Sequence, residues 1–423
     1  MAIPTDPRAF LIKLFQRAVS EADPMKVVPQ YLPDRPKGRI LIIGAGKASA
    51  RMAEAVETVW GPCEGLVITR YGYARPCDGI EIVEASHPVP DANGETATLR
   101  MLELVSDLGP DDLVVALISG GGSALLCAPT VGLNLQDKMA VNAALLASGA
   151  PIGEMNVVRK HLSRVKGGRL AAACYPAQLV SLLISDVPGD DPAMIASGPT
   201  VGETSTSADA LRILDRWNIE IAPQVRRILE GQSSTIPPDD PMLQTSRTTV
   251  IAAPSASLNA ASDDARSVGL DVRILGDALE GEARDLGASQ ARLALEIQSQ
   301  MTPTSQPILL LSGGECTVTR TGHGTGGPNA EFCLSAMIEL NGAKGIHVLA
   351  CDTDGVDGAA EVAGAYVGPD SLTTARDIGA DPKGALANND AHSFFEAIGS
   401  QVVTGPTLTN VNDFRAILIE PLP

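Results

Sequence analysis

The feature that most constrains this chain is a rhythm in which short, fully apolar runs end in polar, glycine-rich loops and alternate with segments of helical period. Residues 39–43 form such a run and lead into Gly44-Ala45-Gly46-Lys47, after which a helix is expected over 47–59. Residues 66–69 and 81–85 read as strands, and 92–107 as a helix that starts after the Pro90–Asp91 turn signal. Residues 113–118 and 180–184 read as further buried strands, and 8–21 as an amphipathic helix. Continuous apolar strands separated by helices predict a parallel sheet covered on both faces. The polar, proline-rich stretch at 231–241 reads as a linker, and the rhythm restarts beyond it. There, strands are expected at 249–252, 272–275, 308–311, 346–350 and 416–419, and helices at 257–268, 282–300 and 329–340. The 423 residues therefore read as two α/β domains, 1–235 and 236–423.

Composition narrows the function classes. Aromatic residues are 3% of the chain, so the cores must be built from aliphatic side chains. The net charge is −18, from 32 basic and 50 acidic residues, which disfavours nucleic acid as a partner. The seven cysteines are odd in number and lack C-x-x-C spacing, so neither a disulfide framework nor a structural zinc site is expected. The five histidines have no metal-ligand spacing. Neither a signal-peptide pattern nor an apolar stretch of about 18 residues is visible, so no membrane partner and a cytoplasmic setting are expected.

Ligands of open α/β sheets sit at the carboxyl ends of strands, and four polar loops fall there: GAGKAS (44–49), SGGGSA (119–124), SGGE (312–315) and DTDGVDG (352–358). In the first, Gly46 permits close backbone approach and Lys47 stands where the helix dipole disfavours a cation, which suits anion binding. The competing reading is a tight turn with a solvated lysine. The loop departs from a dinucleotide fingerprint, having Ser49 at the third glycine position and no acid at the end of the second strand. Ser119, Gly120, Gly121, Gly122 and Ser123 form a candidate phosphate cradle of backbone N–H groups, and Gly313, Gly314 and Glu315 a second. His87 lies in a proline-bracketed loop placed to line a site. Arg159, Lys160, Arg164, Lys166 and Arg169 make a basic island, read either as an anion site or as a helix face balanced by carboxylates. Asp186, Asp190 and Asp191 follow one buried strand and Asp352, Asp354 and Asp357 another. Such acids suit Mg²⁺, or cap turns through their side chains.

Together GAGKAS, SHPVPD, SGGGSALL, VRKHLSRVKGGRLA, SDVPGDDPAMIASGPT, LLLSGGE, DTDGVDG and GPTLTNVNDF, in this order, resemble the class II glycerate kinases with a C-terminal MOFRL domain. The resemblance implies a Rossmann-like N-terminal domain with a mostly parallel sheet, a smaller α/β MOFRL-type domain and an active site in the cleft between them. It implies ATP-dependent phosphorylation of D-glycerate, usually at the 2-hydroxyl. Lys47 matches the family's catalytic lysine. Asp186 is the candidate acceptor for the hydroxyl proton, Arg159, Lys160 and Arg164 for holding the substrate carboxylate, and Asp190 or Asp354 for Mg²⁺. Members are often dimeric, so a homodimer is among the expectations. Where the family commonly reads GGRNQE, this chain has Pro328 in place of the arginine; either another cation, such as Arg320, supplies the charge or that role is not general. The alternatives are an NAD(P)H-dependent hydroxypyruvate reductase, a name relatives have carried, and a nucleotide-binding module without turnover.

Overall fold

In this computed structural model residues 5–231, 235–358 and 360–423 are described. The chain divides into two compact units, Pro24–Ile251 and a second formed by the residues up to Asp23 together with Ala252–Pro423.

The first unit is built on strands β1 (Ile40–Ala45), β2 (Glu64–Arg70), β3 (Ile80–Ala85), β4 (Leu113–Ile118), β5 (Gln178–Ile184) and β6 (Ser246–Ala252), in the order β3-β2-β1-β4-β5-β6. β1 is parallel to β2 and β4, β2 to β3, and β4 to β5, as the apolar strands predict. All six residues of β4 are buried, which requires cover on both faces. On one face Leu41, Ile43, Val114, Ala116 and Ile118 pack with Met101 of helix α3 (Ala92–Leu104) and with Leu125, Val165 and Leu170. Each buried leucine, isoleucine, valine or methionine of this set contributes about 1.5–3 kcal/mol on burial. Helix α2 (Ser49–Trp60) follows β1 and begins two residues later than the sequence suggested.

Between β4 and β6 stands a helical layer that the sequence reading did not resolve into elements. It contains α4 (Gly122–Leu125), α5 (Leu135–Ser148), α6 (Ile152–His161), α7 (Arg169–Cys174) and α8 (Ser207–Arg216). α5 and α8 open with reciprocal caps, Asn134 with Asp137 and Thr206 with Asp209. Val141, Leu145, Met155, Val158, Ala210 and Leu214 give the layer its own core.

The expected boundary at 235/236 differs from the observed one. Ile236 N–H donates to Gly167 O (3.0 Å) and Ile236 O accepts from Glu203 N–H (2.7 Å), so this stretch is stitched to the first unit before β6 begins. Residues 232–234 of the expected linker lie outside the described residues. Helix α1 (Pro7–Glu21) also changes sides: Leu11, Leu14, Phe15 and Ala18 pack in the second unit against Leu258, Ala261, Leu309, Leu349 and Phe414.

The second unit has strands β7 (Asp271–Gly276), β8 (Ile308–Gly314), β9 (Ile346–Asp352), β10 (Gly364–Val367), β11 (Gln401–Val402) and β12 (Asp413–Ile419), in the order β11-β10-β9-β12-β8-β7. β7 and β8 are parallel, whereas β12 runs antiparallel to both β8 and β9, and β10 to β9 and β11. The apolar rhythm is therefore real in this half, but the late strand β12 enters the middle of the sheet and reverses its sense. Helices α9 (Pro254–Ser267), α10 (Ala283–Ser299) and α11 (Pro328–Leu340) flank the sheet. Among the described residues no helix is long and apolar enough to cross a membrane.

The Phe15 side chain is fully buried, with its ring 5.9 Å from that of Phe414. Phe15→Ala is expected to cost about 3–5 kcal/mol through the cavity it leaves, measured as a lower urea midpoint by far-ultraviolet circular dichroism; an unchanged midpoint would refute the assignment of α1 to this core.

Candidate functional site

The order β3-β2-β1-β4-β5-β6 reverses direction between β1 and β4, and the crevice at their carboxyl ends is where a doubly wound sheet receives a ligand. The loops after β1 and β4 flank that point and are bonded to each other. Lys47 N–H donates to Gly120 O (2.8 Å), and Ala48 N–H to Ser119 Oγ (3.0 Å). Ser49 Oγ donates to Leu117 O (2.8 Å) and lies 3.2 Å from Ser119 Oγ. The Ser119 hydroxyl, expected to touch phosphate, is thus buried and turned inward as a staple between the loops. Gly46 has φ +147°, and a Cβ there would overlap Ser119 Oγ, so the close approach requires glycine.

Gly121, with φ +80°, marks where the expected groups converge. A Cβ on it would lie 3.1 Å from His87 Cδ2, 3.2 Å from His87 Nε2 and 3.2 Å from Lys47 Cγ. Lys47, His87 and the glycine loop thus share one place at the end of β1, β3 and β4. Among the described residues, none accepts a hydrogen bond from the N–H of Gly120 or Gly121, which leaves two backbone donors for an anion. Gly122 begins α4, and a Cβ there would press on Ala196 Cβ and Ala45 O. Ser123 Oγ lies 2.7 Å from Ser197 Oγ, and Ser123 O accepts from Lys166 Nζ (2.8 Å).

The segment after β5 brings in the first carboxylates. Asp186 is half-buried just beyond the strand. Asp190, Ala196 and Ser197 hold left-handed backbone at φ 54°, 50° and 63°, a concentration of strain typical of functional loops. Asp190 Oδ1 is buried and has no hydrogen-bond partner among the described residues. An orphaned anionic oxygen of this kind fits a bound cation. Among the described residues no group of three or more His, Cys, Asp or Glu side chains gathers as a metal site. A Mg²⁺ ion needs only one or two carboxylates when substrate oxygens and water complete its shell.

The basic island divides between its two readings. Lys160 is buried in an ion pair with Glu203, the balancing carboxylate, and is thereby committed to the fold. Arg169 is buried and donates to the carbonyls of Lys160 (2.6 Å) and Ser163. Arg164 is exposed. Arg159 remains: its Nη1 donates to Asn156 Oδ1 (3.2 Å), while its Nε is buried without a partner among the described residues. The sequence reading missed Lys138, in the first turn of α5, whose Nζ is orphaned in the same way. The available signal was the one used for Lys47, a lysine where the helix dipole disfavours it.

In the second unit the expected site residues mostly serve the fold. Gly313 and Gly314 are strand residues of β8, paired with Phe414 and Asp413, and their carbonyls accept from Arg415 at 3.2 and 3.3 Å. They present acceptors to a buried guanidinium rather than a nest of N–H donors. Glu315 is exposed. Asp354 is buried and caps its own loop by accepting from Val356 N–H (2.8 Å), the turn-forming use of aspartate. Asp357 accepts from the N–H groups of Asn329 (2.9 Å) and Ala330 (2.8 Å), so it caps α11. Pro328 takes the first position of α11, where its missing N–H is no loss, and Arg320 donates to the carbonyls of Gly322 (3.4 Å) and Gly324 (3.2 Å).

Residues 10–230 match a family described as a domain of unknown function, DUF4147, and residues 308–413 match the MOFRL family. The chain is 53% identical to an Agrobacterium vitis protein named "Putative hydroxypyruvate reductase", over 97% of this chain and 94% of that protein. It is 38% identical to the D-glycerate 2-kinase of Thermotoga maritima, over 98% of this chain and 99% of that protein. The crystal structure of the Thermotoga maritima glycerate kinase superposes with a TM-score of 0.87 at 38% identity, covering 97% of this chain and 99% of the other.

His161, at the end of α6, is buried, and burial together with the Arg169 charge pushes its imidazole down to about 4. Folded His161 stays neutral while the unfolded chain takes up a proton near 6.5, so stability is expected to fall as pH drops from about 6.5 to 4. The loss is about 3 kcal/mol at full effect. Melting temperatures across that range check this: His161→Asn flattens the decline, and an equal slope in both proteins would contradict it.

Proposed function

We propose that this chain, which belongs to the MOFRL family of glycerate kinases, transfers the γ-phosphoryl group of ATP to the 2-hydroxyl of D-glycerate, giving 2-phosphoglycerate and ADP. The observation that carries the reading is the meeting of Lys47, His87 and Gly121 at the strand-order reversal of the first sheet. Phosphoryl transfer asks little covalent chemistry of a protein and much positioning and charge stabilisation. The open N–H groups of Gly120 and Gly121 and the turn into α4 supply directed donors for phosphate oxygens, and Lys47 offsets charge on the transferred group. Asp186 accepts the proton of the 2-hydroxyl as that oxygen bonds to phosphorus and the bond to the ADP oxygen breaks. His87 lines the acceptor side, and Arg159 holds the glycerate carboxylate.

Mg²⁺, when bound, would neutralise part of the phosphate charge, and Asp190 would hold it through the oxygen left without a partner among the described residues. The reductase reading draws on the name carried by two relatives and requires a nicotinamide cofactor. It predicts NADH oxidation on adding hydroxypyruvate without ATP, whereas the kinase reading predicts none.

Phosphorus NMR after incubation with ATP, Mg²⁺ and D-glycerate is expected to show 2-phosphoglycerate. Lys47→Ala is expected to lower the glycerate-dependent release of ADP by about a hundredfold or more. Asp190→Asn is expected to raise the Mg²⁺ concentration needed for half-maximal rate by about tenfold. Near-normal turnover in Lys47→Ala would remove the central assignment.

A further inference from the structure

Two orphaned cationic groups of the first unit lie at one end of a helical hairpin. α5 and α6 are joined by three residues, and such a connection returns the chain antiparallel to itself. The chain ahead of α5 meets the chain after α6, where Thr130 N–H donates to Leu162 O at 3.2 Å, and the Arg159 charge acts on Lys138. Lys138 stands one turn before Val141 on the stripe that packs the hairpin, and Arg159 one turn beyond Met155 on the facing stripe. Lys138 Nζ and Arg159 Nε are buried without hydrogen-bond partners among the described residues.

Most of the charge around them is of the same sign, although the Glu95 carboxylate acts on Lys138 from beyond hydrogen-bond contact. Lys166 is fully buried, and the cations nearest to it electrostatically are Lys138, Arg159 and Lys160. Burial foremost pushes Lys138, Arg159 and Lys166 below their ordinary values. The adjacent Cys127 thiol is pushed up by burial and so offers no countercharge at neutral pH. Lys160 has its own carboxylate in Glu203, whereas Lys138 and Arg159 have none in hydrogen-bond or ion-pair contact among the described residues. Unpaired buried cations are costly, and their persistence calls for an anion from outside the chain. The bond from Lys166 Nζ to Ser123 O (2.8 Å) ties the Lys166 side of this cluster to the end of the glycine loop.

We propose that Lys138 and Arg159 together form an oxyanion subsite that takes the carboxylate of the acceptor acid, with Lys138 as a binding residue in its own right. The inference rests on the kinase reading for the identity of that acid. An ammonium and a guanidinium on facing helices clamp a planar carboxylate from two sides, the guanidinium by its fork and the ammonium as a point charge. The chain then selects acceptors with a carboxylate one bond from the hydroxyl-bearing carbon and discriminates against neutral polyols.

The test is steady-state kinetics with varied D-glycerate and varied ATP, accompanied by calorimetric titration of D-glycerate without nucleotide. Lys138→Met is expected to raise the KM for D-glycerate about tenfold or more with the KM for ATP within about twofold, and to weaken D-glycerate binding in the titration by a similar factor. Lys138→Arg is expected to recover most of that loss. Without ligand, Lys138→Met is expected to melt at or above the wild-type temperature, since it removes a buried unpaired charge, and this separates lost binding from lost fold. An unchanged KM for D-glycerate in an active, folded Lys138→Met protein overturns the subsite, as does a rise confined to ATP. Wild-type protein that binds D-glycerate through Lys138 but does not phosphorylate it overturns the kinase reading and leaves the subsite standing.

Discussion

One buried hydroxyl holds the candidate site together. Ser119 Oγ accepts from Ala48 N–H, lies against Ser49 Oγ and fills the space a side chain on Gly46 would need, so it fixes the loop after β1 against the loop after β4. Leaving a buried N–H such as that of Ala48 without its acceptor costs about 1–3 kcal/mol, which makes the pairing of the two loops an energetic constraint rather than a chance approach. Once the loops are joined, Lys47 is delivered to Gly121, and Gly120 is pinned through its carbonyl with its N–H turned away from that bond. A site on two strand ends gains its rigidity from the sheet, because each loop is short and anchored by fully buried strands.

Much of this was legible in the sequence, for an identifiable physical reason. Strands buried on both faces must be apolar throughout, so the runs at 39–43 and 113–118 announce themselves, and the glycines after them announce close approach. What escaped was whatever depends on contacts distant in the chain. Apolar residues occur nearly all round α5, which hides its period, although the Asn134–Asp137 cap that starts it is a local signal. The proline-rich stretch at 231–241 looks like a linker because polarity is local, whereas its bonds to Gly167 and Glu203 are not. The same limit applies to site residues. Lys160 and Arg159 are neighbours in sequence with the same charge, yet Glu203, 43 positions after Lys160, neutralises one and leaves the other with an orphaned nitrogen.

The net charge of −18 acquires a different meaning in this light. Acidic residues dominate the chain, yet cations are concentrated in the interior of the first unit, where Lys138, Lys166, Arg159 and Arg169 all feel burial. Desolvating them opposes folding, and at Lys138 Nζ and Arg159 Nε that cost is not offset by a hydrogen bond among the described residues. At the proposed subsite an anionic substrate would restore that stability on binding, a trade common where binding and stability draw on the same groups.

The difference between a nucleotide-phosphate kinase and a nicotinamide reductase also reduces to packing at one loop. In a dinucleotide fingerprint the third glycine lets the helix press closely on the strand beside it, and an acid at the end of the second strand holds the ribose. Here Ser49 takes the third position and uses its hydroxyl to bond Leu117 O, so a side chain stands where the fingerprint needs none. The end of β2 is Thr69-Arg70; Thr69 Oγ1 donates to Gly46 O, and the Arg70 guanidinium lies over the Tyr73 ring at 4.6 Å. Neither offers a carboxylate to a ribose diol. Lys47, half-buried just ahead of α2, adds a cation beside the backbone donors. A reductase would gain no hydride chemistry from that charge, whereas phosphoryl transfer gains stabilisation of the group in flight.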